Sequence, residues 1–229
     1  MDRFTSPSVA RVRKVAQRGM LKPLVWRLVR VTIRGEAEIK HLDAPFIVIA
    51  NHSSHLDAPL IIGGLPYRLA RYLAAGAAAD YFFDVKWRKW LTALFFNAFP
   101  VDRVGARKSG GLSKGLLERG VPLLIFPEGG RSATGEMGRF KPGAAALAIA
   151  CDVPCVPVAL VGANVAMPRG QNWPSNGRYR VGIVFGAPMR HHDGESSEDF
   201  SYRLALEVEK LHASVIIPGV PKIEAKGKK

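Results

Sequence analysis

The segment Phe46–Ala50, FIVIA, is apolar at five consecutive positions and then runs straight into Asn51 and His52. A run this short and this rich in Ile and Val predicts a strand covered on both faces, as in parallel sheets with helices above and below. Similar runs recur at Leu123–Phe126, Cys155–Leu160 and Arg178–Gly186. Helical stretches fall between them, after Asp57, around Trp87–Phe96 and at Phe140–Ala150, and an Asp- and Glu-led helix at Ser197–Ala213 closes the core. The alternation predicts an α/β fold, a mostly parallel or mixed sheet covered by helices on both faces. With 229 residues, nearly half of them apolar, the chain suffices for one substantial core. No internal repeat or clear linker divides it, and the loop Met167–Gly177, rich in Gly, Pro and Asn, is the best candidate for a surface excursion.

In such sheets the ends of strands present functional groups. His52 and Asp57 stand five residues apart, about 140° around a regular helix, so they can meet only across a turn. His52 on the turn and Asp57 near the start of the following helix would let the carboxylate fix one ring nitrogen and leave the other free to take a proton from a hydroxyl. The bland reading makes Asp57 a helix cap and His52 and His55 polar loop residues. Two more apolar stretches end in charge: FPVDR, Phe99 to Arg103, and LLIFPEGGRS, Leu123 to Ser132. In the second, Pro127 stops the strand, Gly129 and Gly130 permit a tight turn, and Arg131 and Ser132 offer donors suited to a phosphate. The bland reading there is an ordinary turn with a surface ion pair between Glu128 and Arg131.

Lys and Arg exceed Asp and Glu by 33 − 19 = 14, which draws the protein toward phosphates of nucleic acid, lipid headgroups or a charged substrate. Up to Arg34 the acidic count is Asp2 alone, against nine basic residues. Over Pro23–Arg34 a helical wheel gathers Leu24, Val25, Leu28 and Val29 on one arc and Arg27, Arg30 and Arg34 on the other, with Trp26 at the border. The preceding segment interleaves Val12, Val15 and Ala16 with Arg11, Arg13, Lys14 and Arg18, and Gly19 and Pro23 separate the two. Two short basic amphipathic helices are expected, either lying on a membrane or packing their apolar faces on the core. The expected division is a membrane-associating arm over residues 1–34, the main domain over 35–215 and a basic tail over 216–229.

Cys151 and Cys155 fit neither a C-x-x-C redox pair nor a zinc site, and read as ordinary buried thiols. No signal peptide is visible and no uncharged apolar run approaches the roughly 18 residues that span a bilayer. The longest candidate, Trp90 to Val101, contains Asn97 and Pro100. A cytoplasmic protein, peripheral or monotopic on the cytoplasmic face of the membrane, is expected.

In order, N-H-S-S-H-L-D (51–57), F-P-V-D-R (99–103), F-P-E-G-G-R-S (126–132) with F-K-P-G at Phe140 to Gly143, and V-P-V-A-L (156–160) resemble the four blocks of the glycerolipid acyltransferase family. The nearest members are bacterial 1-acylglycerol-3-phosphate acyltransferases. The resemblance implies a glycerol-3-phosphate acyltransferase-like fold and transfer of an acyl group from a thioester to a hydroxyl, with phosphatidic acid as product. His52, held by Asp57, would be the base, and no acyl-enzyme is required. Arg103 and Arg131 would bind the acceptor phosphate, with Gly129 and Ser132 in the same turn and Glu128 orienting an Arg or bonding the glycerol hydroxyl. Oxyanion or donor contacts would come from backbone amides after His52 or from Arg107, Lys108 or Lys141. No cofactor or metal is implied: the partners are acyl-CoA or acyl carrier protein as donor, a lysophospholipid acceptor and an anionic membrane, with no nucleic acid. The third block of many relatives reads E-G-T-R-S, and Gly130 replaces the Thr. Acceptors elsewhere in the family include glycolipids and aminoacyl lipids.

Three rival readings compete. A hydrolase using Ser53 or Ser54 lacks a G-x-S-x-G elbow. A metal enzyme built on His52, His55 and Asp57 lacks H-E-x-x-H, and His191 and His192 sit in a polar loop. A basic membrane or nucleic-acid binding module accounts for the charge but not for three strand ends that carry functional groups. An acyl-chain tunnel would draw on scattered apolar residues such as Tyr81, Phe82, Phe83, Phe95 and Phe96.

Overall fold

The computed structural model describes residues 2–78, 86–101, 106–171 and 173–217. Its centre is a seven-stranded sheet of β1 (Arg30–Arg34), β2 (Ile47–Ala50), β3 (Ala74–Ala78), β4 (Phe99–Val101), β5 (Leu123–Ile125), β6 (Cys155–Val161) and β7 (Arg180–Phe185). The spatial order is β1-β7-β6-β2-β5-β3-β4, parallel throughout except between β6 and β7. The α/β expectation holds, in its mixed form.

Strand β2 shows why the apolar run reads as it does. All four of its residues are buried, and the pleat sends them alternately to opposite faces. Ile47 and Ile49 enter one apolar cluster with Leu116, Ala145, Ala148, Phe200 and Leu204, while Val48 and Ala50 enter the other with Leu60, Ile61 and Val158. Burying each Ile or Val contributes about 1.5–3 kcal/mol relative to exposure. The first cluster is covered by α6 (Ala106–Glu118), α7 (Gly143–Cys151) and α9 (Ser197–Ala213), the second by α2 (Lys22–Leu28) and α3 (Asp57–Gly64). Helix α9 starts as expected, with Ser196 Oγ accepting from the Asp199 amide at 3.1 Å.

Two expectations for the amino end are corrected. Gly19 and Pro23 do not separate two helices: α1 (Pro7–Lys14) continues through a π-helical stretch, Val15–Leu21, directly into α2. Nor is Pro23–Arg34 one helix, because Val29 turns extended and Arg30–Arg34 becomes β1, paired with β7. Val31, Thr32 and Ile33 are three β-branched residues in a row, a strand preference that outweighs the charge spacing of Arg27, Arg30 and Arg34.

The arm packs against the core with several of its cations turned inward. Arg13 is fully buried and donates to Asn97 Oδ1 at 2.7 Å and to the Arg3 carbonyl at 3.1 Å, and burial pulls its guanidinium down to about 10. Arg18 donates to the Gly63 and Leu65 carbonyls, and Gln17 Nε2 to the Phe95 carbonyl at 2.7 Å. The ring of Trp26 fills the space beside Gly63, where a Cβ would stand 2.7 Å away. Val9, Val12, Val15, Met20 and Leu24 remain exposed along the same arm.

Cys155 is free and fully buried, which pushes its thiol up to about 12, whereas Cys151 is half-buried. His212, on the buried side of α9, is also strongly displaced: burial pulls its imidazole down to about 4. An unfolded chain protonates that ring near its ordinary 6.5. The stabilisation is therefore present above pH 6.5 and is lost as pH falls toward 4, to a total of about 3 kcal/mol. In His212→Leu the denaturation midpoint should fall less between pH 7 and pH 4 than in the wild type. Parallel curves would assign the acid sensitivity to other groups.

Candidate active site

The parallel strands β6, β2 and β5 lie side by side, so the segments leaving their carboxyl ends emerge together. From β2 come Asn51 and His52. Asn51 continues the β2–β6 ladder with its side chain, donating to the Leu160 carbonyl at 2.9 Å and accepting from the Leu160 amide at 2.8 Å. That buried pair fixes where the chain turns toward His52.

His52 and Asp57 meet across the turn as expected. The imidazole Nδ1 lies 2.8 Å from Asp57 Oδ2, and the same oxygen accepts from the Ser53 amide at 2.7 Å and the Ser54 amide at 2.8 Å. Asp57 is fully buried in the first turn of α3, where the positive end of the helix favours its charge. A carboxylate acceptor at Nδ1 sets the tautomer with the proton there, so Nε2 carries the lone pair. One face of the ring stacks on Phe126, centroids 4.1 Å apart and planes 17° from parallel.

The loop after β5 closes over this turn. Glu128 Oε1 accepts from the His52 amide at 2.7 Å and Oε2 from the Gly138 amide at 2.9 Å, and the Ser132 amide donates to the His52 carbonyl at 2.8 Å. His52 is thus held through its amide, its carbonyl and its ring. Burial raises Glu128 above the usual carboxylate range, and the two amide bonds oppose that rise. Gly129 adopts φ 77°, the left-handed region that favours glycine, and the end of the Lys141 side chain lies beside it, 2.7 Å from where a Cβ would stand.

These contacts alter two expectations and count against one rival reading. The Ser53 and Ser54 amides are engaged by Asp57 and are not free to stabilise an oxyanion. Glu128 pairs with no arginine among the described residues; it organises backbone. Ser54 is fully buried with its Oγ donating to the Met167 carbonyl at 2.9 Å, which removes it as a nucleophile. Arg131 Nη1 is buried without a partner among the described residues. Burial first, then the charges of Arg131 and His52, lower the pKa of His55. Ser132 Oγ accepts from the Gly135 amide at 3.0 Å. Arg103, Tyr81, Phe82, Phe83 and the tail beyond Ile217 lie outside the described residues, as do the side chains of Arg107 and Lys108, which sit on α6. A cavity of about 550 Å³ opens among Leu42, Pro45, Val153 and Pro154, before β2 and β6, and shares no residue with this site.

Sequence reading missed Phe126 as the platform for the ring, Asn51 as the side-chain rung and Ser54 as a tie to the following loop. Of these, only Asn51, a lone polar residue ending a fully apolar strand, has a signal visible in sequence.

The sequence profile of the family described as Acyltransferase matches residues 30–161, from β1 through the end of β6 and so across the whole site. The chain belongs to the acyltransferase family. Among its relatives, the 1-acyl-sn-glycerol-3-phosphate acyltransferase of Pseudomonas aeruginosa is 28% identical over 201 residues, covering 82% of this chain and 72% of that protein. A protein of the same name from Chlamydomonas reinhardtii is 33% identical over 144 residues, 62% of this chain; the match spans only 42% of the algal protein's length. The crystal structure of the 1-acyl-sn-glycerophosphate acyltransferase PlsC from Thermotoga maritima superposes with a TM-score of 0.71 at 24% identity, covering 93% of this chain and 85% of that one, and so shares the fold.

Proposed function

We propose that this acyltransferase moves a fatty acyl group from an acyl thioester, acyl-CoA or acyl carrier protein, to the free hydroxyl of 1-acylglycerol-3-phosphate, giving phosphatidic acid. The observation that carries the reading is the His52–Asp57 pair, fixed through Nδ1 and placed among the four family blocks. His52 Nε2 takes the proton of the acceptor hydroxyl as its oxygen attacks the thioester carbonyl. The tetrahedral intermediate collapses with cleavage of the C–S bond, and the imidazolium returns its proton to the departing thiolate. A thioester is already activated, so alignment, a base and oxyanion donors suffice. With the Ser53 and Ser54 amides engaged, Lys141, whose side chain ends beside Gly129 in the loop that bonds His52, is the cation we assign to the developing charge. Arg131, with Nη1 unpartnered, supports phosphate as the acceptor headgroup. Mass-spectrometric assay of the purified protein with both donors against a panel of lysolipids tests the reading. Lysophosphatidate should be the preferred acceptor, and preference for a glycolipid or aminoacyl lipid would reassign it.

The acceptor and product reside in a bilayer, and no helix of the described residues is long and apolar enough to cross one. We propose that the protein works peripherally at the membrane, on its cytoplasmic face, docked through the exposed Val12, Val15, Met20 and Leu24 with Arg11 and Lys14 beside them. Deleting the arm is a poor test, because Val25 and Val29 belong to the core. Replacing Val12, Val15 and Met20 with Ser should leave Tm unchanged and reduce sedimentation with anionic vesicles. Activity should then fall more on vesicle-borne acceptor than on a dispersed short-chain analogue. Undiminished sedimentation would move the docking face elsewhere.

A further inference from the structure

The loop leaving β6 lies on the opposite side of β2 from the loop leaving β5, so His52 stands between them. The β6 side begins with α8 (Ala163–Ala166) and then Met167, whose carbonyl accepts from Ser54 Oγ in the His52–Asp57 turn. Two residues further, Arg169 reaches across, and its Nη1 donates to the Arg131 carbonyl at 3.1 Å. The segment after Arg131 is packed onto the same element: at Gly135, φ 84°, a Cβ would stand 2.1 Å from Asn164 Nδ2. Arg169 is thus anchored on the Arg131–Ser132 peptide, whose N–H donates to the His52 carbonyl at 2.8 Å, so its guanidinium sits at the main chain of the loop that carries Arg131. Among the described residues neither arginine has a carboxylate partner. Arg131 keeps a buried Nη1 without an acceptor, and Arg169 has spent only one of its five N–H groups.

A guanidinium held on the main chain of the Arg131 loop, with donors to spare, and the unpartnered Nη1 of Arg131 itself would both be served by an anion at this loop, and a phosphate monoester matches such forked donors. We propose that Arg169 joins Arg131 in holding the phosphate monoester of the acceptor, so that the β5 and β6 loops close on the headgroup from both sides of His52. The inference rests on the proposed acceptor and adds a residue that lies outside the four blocks. It also gives the Ser54–Met167 bond a role, since that tie holds the Arg169 loop in register with the candidate base.

The test compares Arg169→Gln and Arg169→Lys with the wild type. Binding of short-chain lysophosphatidate is measured by calorimetry in a His52→Ala background, and KM for each substrate in the active enzyme. In Arg169→Gln, Kd and KM for lysophosphatidate should rise about tenfold, with Lys intermediate, Tm unchanged and KM for acyl-CoA unchanged. Unaltered acceptor Kd in Arg169→Gln overturns the proposal while leaving the acceptor reading intact. So does a fall in kcat alone, which would make Arg169 a support for the Arg131 loop. A rise confined to KM for acyl-CoA, absent with a dephospho-CoA thioester, assigns the pair to the donor's phosphate and overturns it as well. Absence of lysophosphatidate binding with Arg169 intact, together with no turnover of lysophosphatidate by the active enzyme, would remove the proposed acceptor and this inference together.

Discussion

His52→Ala should lower kcat for acyl transfer by on the order of 10²–10⁴ while leaving the melting curve close to that of the wild type. The ring is partly exposed and rests on Phe126, so removing it opens no deep cavity. Asp57 is a different case. Its Oδ2 accepts from two backbone amides as well as from His52, so Asp57→Ala leaves buried donors unpaired, at about 1–3 kcal/mol each, and confounds activity with folding. Asp57→Asn is the informative change, since an amide oxygen at the Oδ2 position keeps the acceptor and removes the charge that stabilises the imidazolium. It should cost about 10² in kcat with a small loss of Tm. A His52→Ala enzyme that turns over near the wild-type rate with a normal melting curve would falsify the general-base mechanism.

The central strands were legible because β2, β5 and β6 are buried on both faces and therefore had to be unbroken apolar runs in the sequence. Strands β3 and β4 were not. AAGAA carries no β-branched residue or alternation, and FPV holds a proline, so tertiary pairing decides their state. The same division applies to the site. The His52–Asp57 pair follows from side chains separated by one turn, which sequence spacing can express. Contacts between side chains and distant backbone leave no such trace: Arg13 to the Arg3 carbonyl, Ser54 to Met167, and Arg169 to Arg131 all depend on where loops meet in space. The basic arm misled for this reason. Whether it lay on a membrane or packed its apolar faces on the core, the expected helices kept their cations outward, yet Arg13 and Arg18 turn inward and donate to backbone and side-chain oxygens.

Glu128 is where this matters most for catalysis, and Glu128→Gln should lower kcat by about tenfold or more together with Tm. Each carboxylate oxygen accepts from one backbone amide, His52 on one side and Gly138 on the other. Glutamine has the same shape but only one oxygen, so one N–H must face the new NH₂ group and lose its partner, a penalty of about 1–3 kcal/mol. If the lost bond is that to His52, the ring shifts relative to the acceptor hydroxyl, and misplacement by about 1 Å suffices for a large loss of rate. If it is that to Gly138, the 128–138 loop loosens, and with it the seat of Lys141, whose amide donates to the Pro127 carbonyl at 3.0 Å and whose side chain ends beside Gly129. Both routes lower kcat and Tm and leave the acceptor KM nearly unchanged. A carboxylate that instead bonded the glycerol hydroxyl would give the opposite pattern, with acceptor KM raised at an unchanged Tm. Measuring kcat, acceptor KM and Tm on the one variant therefore separates a residue that shapes the loop around His52 from one that touches the substrate.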